Sequence, residues 1–259
     1  MLVRDGGIRG LVVHLDEGGA QLVTGYELRA GGDVPLSQVS QLAAAHGLGG
    51  LTFAIGIPGS LGGAVLMNAG AYGGEMSDVI KEVTFLDENL DFQTAKATDL
   101  SYSYRHSYFM DHPGCVIVEA VMELWAQASC EIEAEMADFT KRRKEKQPLE
   151  YPSAGSTFKR PPGYYTGPLI RQAGLAGLVM GGAQVSKKHT GFVINREEQP
   201  RETCCASLKP FNIRSGASMA SFLNRKSGSL GKTRMKSGGA DSIEDFSFSE
   251  ERSFVLWIR

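Results

Sequence analysis

The sequence lacks the features that would direct a chain to a membrane or to nucleic acid. No apolar run approaches the roughly 18 residues of a membrane span, and the opening MLVRDGG carries no apolar stretch of a signal peptide. The formal net charge of −2 gives no global basic field. We therefore expect a cytoplasmic, monomeric protein that acts on a small molecule, without nucleic-acid or membrane partners.

Cysteine is also scarce. Cys115, Cys130, Cys204 and Cys205 show no spacing typical of metal ligands, and four cysteines among 259 residues make no disulfide framework. We expect reduced thiols and no metal site. The 42% of hydrophobic residues suffices for one large or two small domains with buried cores.

Hydrophobic periodicity predicts mixed helices and strands. A helix is expected at 35–48, with Leu36, Val39, Leu42 and Ala43 on one face, and a charged amphipathic helix at 130–147, stopped by Pro148. Residues 167–173 predict a short helix. Strands are expected at 10–15, 79–86, 178–185, 191–195 and 115–125, the last with Val116, Val118, Ala120 and Met122 on one face. Residues between the strands at 79–86 and 115–125 are expected to form a loop.

A glycine-rich segment, IGIPGSLGGAVLMNAGAYGG, occupies residues 55–74 and contains seven glycines. Small residues leave backbone N–H groups uncovered, and such groups can lie against a phosphate or pyrophosphate. The segment has neither a G-x-G-x-x-G fingerprint after a strand nor a Walker lysine. A tight-turn region between packed elements explains the composition equally well.

A second segment, SAGSTFKRP at 153–161, places Ser156 near Lys159 and Arg160. A lone serine in a loop is usually a turn residue. Two nearby cations could, however, bind an anionic substrate and orient the hydroxyl for proton transfer.

A third segment, YSYRHSYF at 102–109, sets Arg105 and His106 among aromatic residues. Taken alone, it favours a packed aromatic strand with a surface arginine over a functional site.

Four strings in this order, GIPGSLGGAVLMNAGAYGG, SYRHSYF, SAGSTFKRP and KKHTGFVIN, resemble the UDP-N-acetylenolpyruvoylglucosamine reductase family. The resemblance extends from Leu2 to Arg196. It implies an α+β protein, with an FAD-binding domain of the vanillyl-alcohol-oxidase type followed by a smaller α+β substrate-binding domain. We expect the first domain at 1–128 and the second at 129–197.

The resemblance also implies a reaction and its residues. NADPH reduces FAD, and the flavin then reduces UDP-N-acetylglucosamine enolpyruvate to UDP-N-acetylmuramate for peptidoglycan synthesis. Ser156 would be the general acid and Arg105 would bind the substrate carboxylate, while Tyr104, Lys159 and Arg160 would line the substrate. Arg160 stands where the family often has asparagine. The residues implied at the cofactor are Ile57, Pro58, Gly59, Ser60, Gly62, Gly63, Asn68, Ala69 and Gly70.

Both ends of the sequence depart from the family pattern. The family's T-x-x-G-G-x-A motif and G-x-G-S-N-x-L-V loop touch FAD, and here the sequence opens at the tail of that loop, which predicts a domain without its first FAD lobe. The closing family motif, LEPEVR, is absent after Arg196, and its second glutamate assists protonation.

A frameshift near Glu197 or Glu198 accounts for the second departure. Permitted codons for 197–242, read in a shifted frame, spell an amphipathic helix followed by LEPEVR, with the glutamate codon straddling Arg225 and Lys226. Residues 198–259 are then an out-of-frame tail that we expect to be disordered, because they show no sustained periodicity.

Three interpretations stay open at this point. The chain is a reductase of this family, or a remnant that at most binds FAD or nucleotide, or an unrelated FAD oxidase that shares the fold. The third is disfavoured because Ser156 and Arg105 sit in family-specific strings rather than in glycine patterns common to the fold.

Overall fold

A computed structural model describes Leu15 and residues 21–161 and 163–196. The tail at 198–259 and the expected strand at 10–15, apart from Leu15, lie outside the described residues. The described chain forms two compact units that divide between Glu145 and Lys146. Both units mix helices and strands, as the predicted α+β class requires. No helix in this part of the chain is both long and apolar enough to cross a membrane.

The first unit is built on a five-stranded antiparallel sheet, whose strands lie in the order Gln21–Thr24, Glu27–Gly31, Val116–Glu123, Ile80–Leu86 and Phe92–Lys96. Short 3₁₀ turns lie at Thr52–Ala54, Met76–Asp78 and Ala97–Asp99. The elements in chain order are β1 (Gln21–Thr24), β2 (Glu27–Gly31), α1 (Leu36–Ala45), β3 (Leu48–Gly49), α2 (Leu61–Leu66), β4 (Gly70–Ala71), β5 (Gly74–Glu75), β6 (Ile80–Leu86), β7 (Phe92–Lys96), α3 (Tyr108–Asp111), β8 (Val116–Glu123), β9 (Trp125–Ala126) and α4 (Ser129–Lys146).

One face of this sheet is apolar and the other is charged. Leu28 of β2, Val83 of β6 and Met122 of β8 are buried in one hydrophobic core with residues of α1 and α2. Ion pairs join strands among the exposed residues, Arg29 to Glu119 and Lys81 to Glu27. This alternation is typical of an antiparallel sheet with one solvated face.

The predicted helix at 35–48 is confirmed as α1, which buries Leu36, Val39 and Ala43 and half-buries Leu42. The predicted strand at 115–125 is present as β8, but its predicted face is wrong in the first half. Val116 is exposed, whereas Ile117 is buried together with Ala120 and Met122. A β-bulge between Ile117 and Glu119 shifts the alternation by one residue, and strict period-two reasoning cannot foresee that shift.

The stretch predicted as a loop between β6 and β8 is not irregular throughout. It contains β7, a 3₁₀ turn at Ala97–Asp99 and α3. Strand β7 lies at the edge of the sheet and most of its side chains are exposed, so its sequence FQTAK carries no alternation of apolar and polar residues.

Helix α4 packs with the first unit, although the sequence-based boundary at 129 assigns it to the second domain. Glu135 accepts a hydrogen bond from Thr52 Oγ1 at 2.9 Å, and the Phe139 ring stacks on Tyr72 with centroids 4.4 Å apart. Arg143 lies one turn further along the same face, against Gly56. Contacts spaced every four residues hold this helix on the glycine-rich segment.

The second unit contains a four-stranded antiparallel sheet, whose strands lie in the order Ser153–Ser156, Phe192–Asn195, Ala183–Val185 and Val179–Met180. The helix and strand predicted at 167–173 and 191–195 are confirmed. The single strand predicted at 178–185 is instead a hairpin, because Gly181 turns the chain with a φ of 57°. Its elements are β10 (Ser153–Ser156), α5 (Thr166–Gln172), β11 (Val179–Met180), β12 (Ala183–Val185) and β13 (Phe192–Asn195).

Gly32 lies between strand β8 and the start of helix α2, and its lack of a side chain lets these segments pack closely. Substitution at this position tests that packing. Its N–H donates to Val118 O at 2.7 Å, its carbonyl accepts from Gly62 N at 2.8 Å, and a Cβ would lie 2.4 Å from Ile117 O. We expect Gly32→Ala to lower the free energy of unfolding by about 3 kcal/mol, the upper end for overpacking. Gly25→Ala is the control, since nothing lies within 4 Å of its added Cβ. Its left-handed φ should cost about 1 kcal/mol. Urea unfolding followed by circular dichroism compares them, and equal losses would contradict the close-approach argument.

Candidate functional site

The glycine-rich segment folds into a loop, the short helix α2 and the β4–β5 hairpin. Ser60 caps α2, with its Oγ accepting from Gly63 N at 3.3 Å. Leu61 N and Gly62 N donate to Val34 O and Gly32 O, each at 2.8 Å. The expectation that these amides stay uncovered for a phosphate is therefore wrong at Gly62 and Gly63, whose N–H groups are already bonded within the protein.

Close packing of the protein against itself explains several glycines of this segment. An added Cβ would lie 2.7 Å from Arg143 Nη1 at Gly56, 3.0 Å from Gly32 O at Gly62 and 2.5 Å from Gly74 O at Gly70. A side chain at Gly70 would overlap backbone, one at Gly62 would force a small backbone shift, and one at Gly56 would displace the half-buried Arg143 guanidinium. The tight-turn explanation therefore accounts for much of the glycine content.

The loop from Ile57 to Ser60 is partly open to solvent. Ile57 is half-buried against the core, while Pro58 is exposed. Gly59 has a φ of 123°, and its carbonyl accepts from Leu36 N at 2.9 Å. Hydrogen bonds at Gly59 and Leu61 hold this loop in place while Pro58 stays exposed. Such a loop can receive a ligand close to its backbone at Gly59.

Asn68 was expected at the cofactor together with Ala69 and Gly70, but its side chain lies wholly inside the protein. The residue is 0% exposed. Its Nδ2 lies 3.0 Å from both Glu75 Oε1 and Ser103 O and 3.3 Å from Ser77 Oγ, and its Oδ1 accepts from Ser77 N at 2.9 Å. The side-chain amide is therefore bonded within the protein rather than open to a cofactor.

Arg105 occupies a tight turn rather than the packed aromatic strand that its neighbours suggest. Ser103 and His106 exchange backbone hydrogen bonds of 3.1 Å across the turn, and Arg105 has a φ of 57°. Its guanidinium donates to Asn68 O at 2.8 Å and to Gly70 O, and it lies 5.1 Å from the centroid of the exposed Tyr104 ring.

The two acceptors of Arg105 are neutral carbonyls. Within residues 21–161 and 163–196, the salt bridges do not include this guanidinium. Its positive charge is therefore oriented without being neutralised by a carboxylate of this part of the chain, and such a group can bind an anion.

Sequence reasoning did not single out several residues that build this region. Ser107 is fully buried and its Oγ donates to Leu66 O at 2.7 Å, which ties the Arg105 turn to the end of α2. Glu75 and Ser77 bind Asn68. Burial lowers the pKa of Arg143 and raises that of Tyr102. Only the spacing of Glu135, Phe139 and Arg143 along α4 could have indicated the packing of that helix.

In the second unit, Ser156 ends strand β10 rather than lying in a loop. It pairs with Phe192 of β13, and Thr157 N donates to Gly191 O at 2.8 Å. Gly155, with a φ of 81°, lies at an irregularity of the pairing, and Ser156 is exposed. The backbone of this serine is fixed by strand pairing while the residue faces solvent.

Lys159 and Arg160 follow in the same exposed segment. The Arg160 guanidinium lies 4.8 Å from the centroid of the Tyr165 ring, and Thr166 Oγ1 donates to Lys159 O at 3.3 Å. The structure therefore places the three predicted residues of the second unit on one short, solvent-facing stretch.

The turn of the KKHTGFVIN string adjoins Ser156 through β13. His189 N donates to Ser186 Oγ at 3.1 Å, and His189 Nδ1 accepts from Gly191 N at 3.2 Å. The ring packs edge-on to Phe192, the partner of Ser156, and burial lowers the pKa of His189. The neutral imidazole thus stabilises this turn.

Comparison with known proteins agrees with the division into two units. Residues 2–91 match the FAD binding domain family, and residues 147–208 match the UDP-N-acetylenolpyruvoylglucosamine reductase C-terminal domain family. The second match begins one residue after Lys146, where the second unit starts. This pair of domains defines a class of flavoprotein reductases.

Individual relatives identify the family. The UDP-N-acetylenolpyruvoylglucosamine reductases of Syntrophomonas wolfei and Caldanaerobacter subterraneus are 49% and 48% identical over 196 and 195 residues. The crystal structure of the Thermus caldophilus UDP-N-acetylenolpyruvylglucosamine reductase matches with a TM-score of 0.63 at 33% identity, covering 70% of this chain and 66% of that one. The chain belongs to the UDP-N-acetylenolpyruvoylglucosamine reductase family. The Syntrophomonas wolfei and Caldanaerobacter subterraneus matches each cover 75% of this chain, but the chain spans only 65% and 64% of those two relatives.

The His189 turn should make the second unit sensitive to acid. Because the folded-state pKa of His189 is lowered from 6.5, the stability that the neutral ring contributes is complete above that value and is lost as pH falls towards the folded pKa. Amide hydrogen exchange over residues 186–195, corrected for intrinsic rates, should show this loss of protection. His189→Asn should flatten the dependence. Measurements at about pH 8, where histidine is neutral in both states, give the cost of the substitution alone. A variant with the wild-type acid dependence would contradict the assignment.

Proposed function

We propose that this chain is an FAD- and NADPH-dependent reductase that converts UDP-N-acetylglucosamine enolpyruvate to UDP-N-acetylmuramate in peptidoglycan synthesis. The observation that carries the proposal is the Arg105 guanidinium bound to the carbonyls of Asn68 and Gly70. These hydrogen bonds join the proposed substrate-binding arginine to the proposed cofactor segment. They leave the arginine charge available for a carboxylate. We place the reaction in the cytoplasm, where NADPH and sugar nucleotides are available.

The residues that would hold FAD are those of the Ile57–Ser60 loop, together with Ala69 and Gly70. The exposed crest at Pro58 and the left-handed φ of Gly59 support this fit. Gly62 and Gly63 would support the loop through their internal hydrogen bonds instead of touching the cofactor. When bound, FAD supplies the hydride chemistry that links NADPH to the enolpyruvyl group.

Arg105 binds the substrate carboxylate in this proposal. Hydride addition to the enolpyruvyl methylene carbon builds enolate character next to that carboxylate, so negative charge increases in the transition state. A guanidinium already oriented by two carbonyls needs no rearrangement to stabilise that charge. The exposed Tyr104, whose ring lies 5.1 Å from the guanidinium, would contact the same substrate.

Ser156 then donates the proton to the carbon next to the one that receives hydride. Strand pairing fixes its backbone, and its exposure lets the hydroxyl reach a substrate and exchange its proton with solvent. Lys159 and Arg160 would bind the diphosphate of the sugar nucleotide, since both are exposed cations on the same stretch.

The proposal is tested on the purified chain by its visible flavin absorbance and by NADPH oxidation with and without the enolpyruvyl sugar nucleotide. A flavin band together with substrate-dependent oxidation would support the proposal. Arg105→Lys should slow that oxidation by about 10²–10³-fold, because a point charge cannot replace an oriented planar donor. Arg29→Lys is the matched control, since Arg29 pairs with Glu119 between strands of the sheet. Absence of both flavin and turnover would instead favour a remnant without catalytic activity.

Ser156→Ala separates the two half-reactions. Reduction of the flavin by NADPH should stay nearly unchanged, while reoxidation by the enolpyruvyl substrate should slow by about 10²–10⁴-fold, the usual contribution of a positioned proton donor. Stopped-flow absorbance measures each step. Ser153→Ala, in the same strand, is the control for loss of a β10 hydroxyl. Equal slowing of both half-reactions would assign Ser156 to cofactor positioning.

A further inference from the structure

Backbone strain is concentrated around Arg105. The described residues include five non-glycine residues with positive φ, and Asn68, Tyr72, Ser101 and Arg105 are four of them. Asparagine adopts this conformation readily, whereas arginine and tyrosine rarely do. The conformation of the Arg105 turn therefore depends on contacts that surrounding residues supply.

The Asn68 side chain supplies one such contact to the backbone of the turn. Its Nδ2 donates to Ser103 O at 3.0 Å, at the position where the turn begins. The carbonyl of the same residue accepts from Arg105 Nη1 at 2.8 Å. Asn68 thus binds both the start of the turn and the guanidinium at its tip.

The remaining bonds of Asn68 hold the amide itself in place. Ser77 N donates to Oδ1 at 2.9 Å, and Glu75 Oε1 lies 3.0 Å from Nδ2 and accepts from Ser77 Oγ at 2.8 Å. No ion pair links Glu75 to Arg105 among the salt bridges of the described chain. Glu75 therefore accepts hydrogen bonds from the amide and the hydroxyl rather than from the Arg105 guanidinium.

We propose that Asn68 is a positioning residue, whose buried amide sets the Arg105 turn and so aims the guanidinium at a substrate carboxylate. The part of this inference that concerns the substrate carboxylate rests on the proposed function. The hydrogen-bonded connection between Asn68 and Arg105 does not. Asparagine suits this place because it combines tolerance of a left-handed backbone with a donor and an acceptor on one short side chain.

The link is measured by ¹⁵N-edited NMR of the arginine guanidinium groups in the full chain, with Arg105 assigned by the loss of its signals in Arg105→Lys. Hydrogen bonds to Asn68 O and Gly70 O should slow rotation about the Cζ–Nη bonds of Arg105 and give separate Hη signals. Asn68→Gly keeps the left-handed backbone and the carbonyl but removes the amide. We expect rotation at Arg105 to accelerate by about tenfold, the factor expected for a hydrogen bond lost.

Ser77→Ala is the matched control, because it removes one partner of Asn68 while the bond from Asn68 Nδ2 to Ser103 O remains. Its Arg105 signals should stay separate. A purely structural role for Asn68 would broaden signals across the whole protein, whereas positioning changes Arg105 and leaves the dispersed backbone spectrum intact. Unchanged Arg105 signals in Asn68→Gly would overturn the proposal.

If Asn68→Gly fails to fold, a second variant tests whether the Asn68 amide positions Arg105. Asn68→Asp with Glu75→Gln exchanges the donor and acceptor of that pair and preserves the net charge, but Ser103 O still loses its donor. The same acceleration at Arg105 supports positioning, and separate signals overturn it. None of these measurements requires bound flavin or turnover, so failure of the reductase assay and failure of this inference are distinguishable.

Discussion

The hydrogen bonds from Arg105 to the carbonyls of Asn68 and Gly70 are the constraint on which the first unit's site depends. A carboxylate partner would hold the guanidinium as firmly, but it would also cancel the charge that an incoming anion has to meet. Backbone carbonyls orient the guanidinium without neutralising its positive charge. They also tie the guanidinium to the backbone of the glycine-rich segment, so the position of that segment sets the position of the charge.

That segment in turn depends on the absence of side chains at a few points. Gly62 lies against Gly32, and Gly32 lies against Ile117 of the sheet. The gap between Gly32 and Ile117 O is too small for a Cβ on Gly32. The chain of contacts runs from β8 through Gly32 to α2, and from the end of α2 through Ser107 to the Arg105 turn. The glycines thus act on the site indirectly, since they allow the backbone to pack closely enough to place Arg105.

Local sequence patterns predicted the helices and strands whose formation depends mainly on short-range interactions. Helix α1 follows from four residues spaced on one face, and α5 and β13 follow from equally short-range signals. The errors have non-local causes. The bulge in β8 is set by pairing with β6, edge strand β7 needs no apolar face, and the glycine turn at Gly181 divides one expected strand into two. The sequence strings identified Arg105 and Ser156 through a family resemblance, but no pattern indicated that Asn68 is buried or that Glu75 and Ser77 hold it.

The two units meet different chemical requirements. A group that stabilises developing charge works best when it is fixed before the charge appears, because any movement at that moment costs free energy. Arg105 satisfies this with a strained turn and two carbonyl acceptors. A proton donor must instead be reachable and must recover its proton after each turnover. Ser156 satisfies that with a backbone fixed by β13 and a residue open to solvent. Arg105 is half-buried and Ser156 is exposed, and their proposed roles require this difference.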